Sequence, residues 1–364
     1  MAPHFHLLQV KEQIQETDEC IVVSFHIPEA LQTVFAFTHG QNITIKAIAD
    51  DQELRRSYSI CSSPLDNELK IAIKKVAGGR FSTAAVQLLQ KGNWVEVLPP
   101  AGKFFTPLHA GNKKNYVAFA AGSGITPLLS IIKTTLATEP DSRFTLIYGN
   151  KNRASIIFKE ELEALKNIYI NRFAVHHILS REKTDTDLNN GRIDAEKCAV
   201  IFKYLLDLKS SDEFFICGPR EMILSVQQFL ENNRVEKERV HFELFSVPGV
   251  GSTAPVHQTQ IKETTAAIEN KMSQVTIKLD GISFDFILPY NGDAILDAAL
   301  ATGADLPYAC RGGVCATCRA KLLSGEVSMD TNYALEPSEI ENGYILTCQS
   351  HPRSEKVFID FDQR

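Results

Sequence analysis

Three cysteines fall within nine residues, CRGGVCATC at 310–318, and a fourth follows in ILTCQS, giving the spacing C-x4-C-x2-C-x29-C. The other four, Cys20, Cys61, Cys198 and Cys217, are scattered singly. A secreted disulfide framework would be denser and sit in a smaller domain, so the expectation is a reducing compartment and a cytoplasmic protein. The N-terminus, MAPHFHLLQV, agrees: no cationic segment leads into an apolar run and a small-residue cleavage site.

Four thiolates suit a structural zinc ion or an iron-sulfur cluster, and spacing discriminates between them. Structural zinc usually draws on two separated C-x2-C pairs. Here only Cys315 and Cys318 form such a pair, while Cys310 and Cys348 stand alone. The order C-x4-C-x2-C…C is the plant-type arrangement for [2Fe-2S]. Gly312 and Gly313 let backbone wrap closely and aim N–H groups at the cluster sulfurs. Zinc, or cysteines with no ligand at all, are the alternatives.

The 364 residues suffice for two or three domains, and the rhythm of the text changes along them. Up to about residue 108, short runs such as CIVVSFHI, NITIKAI, LKIAIKKV and WVEVLPP are separated by turn residues, which predicts an antiparallel barrel or sandwich. From about 112, strands alternate with helices: YVAFAAG, TPLLSIIKTTLA, FTLIYGN, SIIFKEELEALKN, NRFAVHHIL, a helix around 194–209, FFICG, and a helix from Pro219 to about Asn232. That alternation predicts a parallel sheet covered on both faces. The longest apolar region, YVAFAAGSGITPLLSII, is broken by Gly122, Gly124 and Pro127, so it reads as strand, loop and helix and not as a membrane span.

After HFELF the pattern is lost, and 246–272 is expected to be a flexible linker rich in Gly, Pro, Ser, Thr and Gln. The last module opens with a predicted hairpin, VTIKLDG and ISFDFILP, followed by a short helix around DAILDAALA. It holds thirteen Asp and Glu against seven Lys and Arg from 273 to 364, the whole net charge of -6. Such a balance excludes a nucleic-acid partner and suggests docking on a basic protein surface.

With the cysteine spacing, residues 273–364 resemble a plant-type ferredoxin, a β-grasp domain holding one [2Fe-2S] cluster on Cys310, Cys315, Cys318 and Cys348. RRSYSICSSP at 55–64 and IKKVAGGRFSTAAV at 73–86 resemble the FAD-binding barrel of the ferredoxin-NADP reductase superfamily. That resemblance implies Arg56 on the flavin phosphate, Tyr58 packing on the isoalloxazine, Ser59 near its N5, and Gly79, Ser82 and Thr83 at the pyrophosphate. A helix start with free N–H groups suits an anion there.

AAGSGITP at 120–127, between a strand and a helix, is where a dinucleotide pyrophosphate sits, and with Gly122, Gly124 and Thr126 it is similar to the same superfamily's nucleotide domain. FICGPREM matches its C-G-P: Cys217 borders the hydride path, with Gly218 and Pro219 beside it. Taken alone, Cys217 reads as a small buried residue at a strand end, and it is the neighbouring motifs that favour the functional reading. Arg153, Ser180, Arg181 and Arg192 resemble the cationic positions of NADPH-using members, although each arginine alone reads as a solvated surface group. Glu243 is the acidic candidate beside the nicotinamide, and Phe245 the aromatic cover of the flavin.

The order of modules, 1–108 FAD-binding β-barrel, 109–245 doubly wound α/β NAD(P)-binding domain, 246–272 linker and 273–364 ferredoxin domain, resembles the reductase components of bacterial oxygenases, most closely the phenylacetyl-CoA epoxidase type. The resemblance implies an oxidoreductase taking electrons from NADPH through FAD and [2Fe-2S] to an electron-accepting oxygenase component, without membrane insertion. Alternatives are service to another di-iron or Rieske oxygenase, a desaturase or a free ferredoxin, or a flavin reductase with a structural zinc module.

Overall fold

The structure is a computed structural model that describes residues 3–49, 52–245 and 271–363. It divides into two compact units, one of them His6–Phe245, the other containing the C-terminal residues.

The larger unit begins with six antiparallel strands and one helix: β1 (His6–Thr17), β2 (Cys20–His26), β3 (Asn42–Ala49), β4 (Gln52–Ser59), β5 (Leu69–Lys74), α1 (Arg80–Leu88) and β6 (Trp94–Ala101). They pair in the order β4-β3-β6-β1-β2-β5, and a bridge from Ile60 to Ile71 joins the two ends, closing a barrel. The interior holds the alternate residues that period-two side-chain direction selects, among them Leu8, Ile21, Val23, Ile43, Ile45, Ile71 and Val97. β2 is buried along six of its seven residues because it has two apolar neighbours. Ile21, Val23 and Phe25 face into the barrel, while Cys20 and Val22 belong to the core of the following sheet.

That sheet is parallel: β7 (Asn115–Ala121), α2 (Ile125–Thr138), β8 (Arg143–Asn150), α3 (Lys159–Ile168), β9 (Phe173–Leu179), α4 (Ala195–Tyr204), β10 (Glu213–Cys217), α5 (Arg220–Asn232) and β11 (Val240–Glu243). Its order β11-β10-β7-β8-β9 reverses direction between β7 and β10. α4 is shorter than its sequence suggests. Past Tyr204 the segment turns, with Asp207 accepting the hydroxyls of Ser210 and Ser211 on its carbonyl, a local alternative to helical bonding.

Barrel and sheet share a wall. α2 presents Ser130, whose hydroxyl donates to the Ser62 carbonyl at 2.6 Å, and Thr134, whose hydroxyl meets that of Ser63 at 2.9 Å. Lys133 reaches Asp66 of the barrel and Glu161 of α3 at 2.6 and 2.7 Å.

The second unit contains β12 (Met272–Leu279), β13 (Ile282–Pro289), α6 (Ile295–Ala301), β14 (Arg319–Ser324), β15 (Val327–Met329), α7 (Pro337–Glu341), β16 (Tyr344–Leu346), β17 (Ser350–Pro352) and β18 (Lys356–Asp360). β12 and β13 form the expected antiparallel hairpin, and a parallel β12–β18 pair continues the sheet as β13-β12-β18-β14-β16. α6 packs Ile295, Leu296 and Ala299 on this mixed sheet. Of the expected linker, 246–270 lies outside the described residues, and Met272 already opens β12.

Candidate redox sites

The reversal of strand order between β7 and β10 opens a crevice at their carboxyl ends, the place where open α/β sheets bind ligands. Two glycine turns line it. After β7 the chain makes one 3-10 turn, Gly122–Gly124, and passes into α2; after β10 it continues through Gly218 and Pro219 into α5. The turns touch: a Cβ on Gly124 would lie 2.0 Å from the Cys217 carbonyl oxygen, so only glycine fits. Thr126 is buried, its hydroxyl donating to the Ser123 carbonyl at 3.0 Å, which places it in the framework of the turn. Lys74, from the end of β5, extends its ammonium to this turn, 3.7 Å from where a Cβ on Gly122 would stand. Sequence reading passed over Lys74, one of the two adjacent lysines that follow LKIAI ahead of the glycine pair at 78–79.

Three of the expected site residues converge beside the crevice. β11 pairs with β10 in parallel register, putting Glu243 opposite Cys217. The Ser59 hydroxyl at the end of β4 donates to Glu243 Oε2 at 2.9 Å. Cys217 is fully buried, and burial first, then the Glu243 charge, pushes its thiol well above the usual range. A thiol so shifted stays protonated, as buried cysteines in apolar surroundings do.

On β4 the residues alternate as an unbroken strand requires. Arg56 and Tyr58 share the face opposite Ser59, and the half-buried Tyr58 ring leans on Phe81 of α1 with centroids 5.6 Å apart. The start of α1 is built around Ser82, whose hydroxyl accepts the Val76 N–H at 3.1 Å, while the Thr83 N–H reaches the Gly79 carbonyl at 3.1 Å. Tyr58 and the head of α1 are thus brought to one side of the barrel. Phe245, two residues beyond Glu243, is 39% exposed at the end of the unit.

The cationic residues gather on the other arm of the sheet. Arg153 follows β8, Ser180 and Arg181 follow β9, and a parallel bridge from Leu179 to Asn190 brings Arg192 alongside. Arg181 and Arg192 are exposed. Arg153 is paired with Glu182, a residue that sequence reading did not single out.

In the second unit the four thiols come together as two pairs, Cys310 with Cys315 and Cys318 with Cys348. Among the described residues no group of three or more His, Cys, Asp or Glu closes around a single ion. Four neighbouring thiols meet the demand of a two-iron cluster, two thiolates per iron. Backbone N–H groups already point at sulfur: Gly312 to Cys310 at 3.3 Å and Cys310 to Cys315 at 3.5 Å. Hydrogen bonds from the Cys310 thiol and then from Thr317 hold the Cys315 thiol below its usual range. Gly313, at φ +72°, lies against the Thr331 carbonyl, where a side chain would clash at 2.9 Å.

Three family descriptions cover this architecture: an oxidoreductase FAD-binding domain over residues 7–106, an oxidoreductase NAD-binding domain over 119–228, and a 2Fe-2S iron-sulfur cluster binding domain over 277–353. The chain is 43% identical over 360 residues to one of the subunits of 1,2-phenylacetyl-CoA epoxidase from Escherichia coli K12, covering 99% of this chain and 98% of that one. It belongs to the family of oxygenase reductase components. The reductase is also 33% identical to the ferredoxin reductase component of 3-ketosteroid-9-alpha-monooxygenase from Rhodococcus rhodochrous, covering 98% of this chain and 96% of that one. In fold it resembles phthalate dioxygenase reductase, described as a modular structure for electron transfer from pyridine nucleotides to [2Fe-2S]. That match has a TM-score of 0.58 at 22% identity and covers 98% of both chains. The reductase thus carries FAD-binding, NAD-binding and [2Fe-2S] domains, and among its described residues no helix is long and apolar enough to cross a membrane.

Proposed function

We propose that this reductase oxidises NADPH and delivers electrons singly, by way of FAD and the [2Fe-2S] cluster, to an oxygenase component of the phenylacetyl-CoA epoxidase type in the cytoplasm. The observation that carries the reading is the convergence of Ser59, Cys217 and Glu243 at the sheet's reversal point. FAD supplies the conversion of a two-electron hydride into single electrons, which a [2Fe-2S] cluster can accept.

The protein's own groups have definable tasks in this scheme. The nicotinamide ring becomes cationic as its hydride leaves, and the Glu243 carboxylate, held by Ser59, stabilises that positive charge. Cys217 closes the site with an uncharged, water-excluding wall. Gly122, Gly124, Gly218 and Pro219 admit the nucleotide's pyrophosphate at the crevice, with Lys74 as a nearby cation. Arg56, Tyr58, Gly79, Ser82 and Thr83 hold the flavin nucleotide on the barrel side, and Phe245 covers the flavin face. Arg153, Ser180, Arg181 and Arg192 receive the 2′-phosphate. Cys310, Cys315, Cys318 and Cys348 bind the cluster. The working modules on this reading are 1–108, 109–245 and 273–364, joined by 246–272.

Anaerobic mixing with NADPH, followed by optical and EPR spectroscopy, tests the path. Flavin bleaching followed by a reduced-cluster signal supports it, whereas zinc in the metal analysis with no EPR signal removes the cluster step. Turnover of an epoxidase oxygenase component, compared with a Rieske oxygenase or a free ferredoxin, identifies the acceptor.

A further inference from the structure

The cationic rim beyond β8 and β9 contains a carboxylate, and it is engaged with one of the arginines. Glu182 Oε2 accepts the backbone N–H of Arg153 at 2.8 Å, and Glu182 Oε1 lies 3.3 Å from the Arg153 guanidinium Nε. The two loops that carry these residues run together: the N–H of Ser180 reaches the Asn150 carbonyl at 2.9 Å and that of Arg181 the Lys151 carbonyl at 2.8 Å. Glu182 thus ties the β9 loop to the β8 loop, on the same rim as Arg181. Lys151 points elsewhere, to Glu19 of the barrel at 3.6 Å. Arg181 and Arg192 are exposed and carry no ion pair among the described residues, so Arg153 is the rim arginine whose charge is already answered.

Resting on the assignment of this rim to the 2′ substituent of the nucleotide, we infer that Glu182 sets the reductase's selectivity between NADPH and NADH. A 2′-phosphate must compete with Glu182 for Arg153 and enter beside its negative charge. A 2′-hydroxyl meets no such penalty and can donate to a carboxylate, the usual partner of an unphosphorylated ribose. Glu182 therefore weakens NADPH binding relative to a purely cationic rim and keeps NADH within reach. It is a specificity residue acting partly through the position and charge of Arg153.

Binding of 2′,5′-ADP and 5′-ADP to the flavin-loaded reductase, measured by calorimetry, tests this without turnover. Glu182→Gln keeps an oxygen acceptor for the Arg153 N–H and removes the charge. It should tighten 2′,5′-ADP about two- to fivefold, the range of one exposed ion pair, and leave 5′-ADP unchanged or weaker. The gain should shrink when Arg153→Ala is added. KM for NADPH should fall relative to KM for NADH in steady-state assays. An unchanged or lowered 2′,5′-ADP preference in Glu182→Gln overturns the inference. Arg181→Ala separates the two levels: selective loss of 2′,5′-ADP binding sustains the rim assignment whatever Glu182 does. Equal loss of both ligands overturns the assignment and the inference with it.

Discussion

The cluster loop draws three of its four thiols from nine consecutive residues, whereas the hydroxyl, thiol and carboxylate beside the nucleotide crevice come from positions 59, 217 and 243. The first arrangement is held by local backbone: left-handed residues at Arg311, Gly313 and Ala316, and N–H groups turned onto sulfur. The second exists only when barrel and parallel sheet dock in register, with β11 pairing to β10 and β4 ending against Glu243. One site is specified by its sequence neighbours and the other by tertiary packing, so they should fail in different ways.

The sharpest break is to remove one cluster ligand. Cys348→Ser should abolish the reduced-cluster EPR signal and cytochrome c reduction while flavin reduction by NADPH stays near the wild-type rate. Loss of both activities together would show that the two sites are not separable. Glu243→Ala should act on the other side alone, slowing hydride transfer by about 10²-fold with the cluster intact, and Ser59→Ala should slow it less. Stopped-flow flavin bleaching reads both, and an unchanged rate in Glu243→Ala would remove the carboxylate from the chemistry.

Gly124→Ala probes whether the crevice depends on packing. The added methyl must displace the Cys217 carbonyl, which should destabilise the larger unit by about 1–3 kcal/mol and slow hydride transfer, leaving the cluster spectrum unaltered. Gly111→Ala, where a Cβ meets nothing within 4 Å, is the control and should melt as the wild type does.

The smallest effect is acid sensitivity at the other end of the same strands. Glu213 opens β10, and although burial alone would raise its pKa, bonds from His241 and then Lys114 bring it below its ordinary 4.5. A depressed folded-state value stabilises above pH 4.5, and the contribution disappears as pH falls through the lower folded value. Lys114→Met should flatten this acid limb in denaturant titrations from pH 6 to 3 by about 1 kcal/mol. An unaltered limb would assign the acid loss to other groups.

The same contrast explains what the sequence made legible. The cysteine spacing is a local pattern, and so are the β12–β13 hairpin and the βα alternation from β7 to α5, because period and turn residues encode them directly. The glycine turns were readable as well, since strand, GSG and helix are contiguous. The link from Ser59 to Glu243 spans 184 positions, and no local signal encodes it. Both residues were reached through resemblance, and the hydrogen bond between them through the fold. Lys74 and Glu182 were missed because a lysine ending a strand and an acid following an arginine are commonplace until the topology places them on a turn or a rim. The end of α4 was overrun because the turn at Asp207 depends on side chain to backbone bonds that hydrophobic periodicity does not register.

β2 has no solvent face along most of its length: one side fills the barrel and the other belongs to the core under α2. A chain cut near residue 108 would expose Cys20, Val22, Cys61 and Ala72, an apolar stripe suited to aggregation. Barrel and sheet therefore form one packed unit. In building chimaeric reductases they are to be exchanged as a single cassette, with the cluster module as the piece that can be swapped alone.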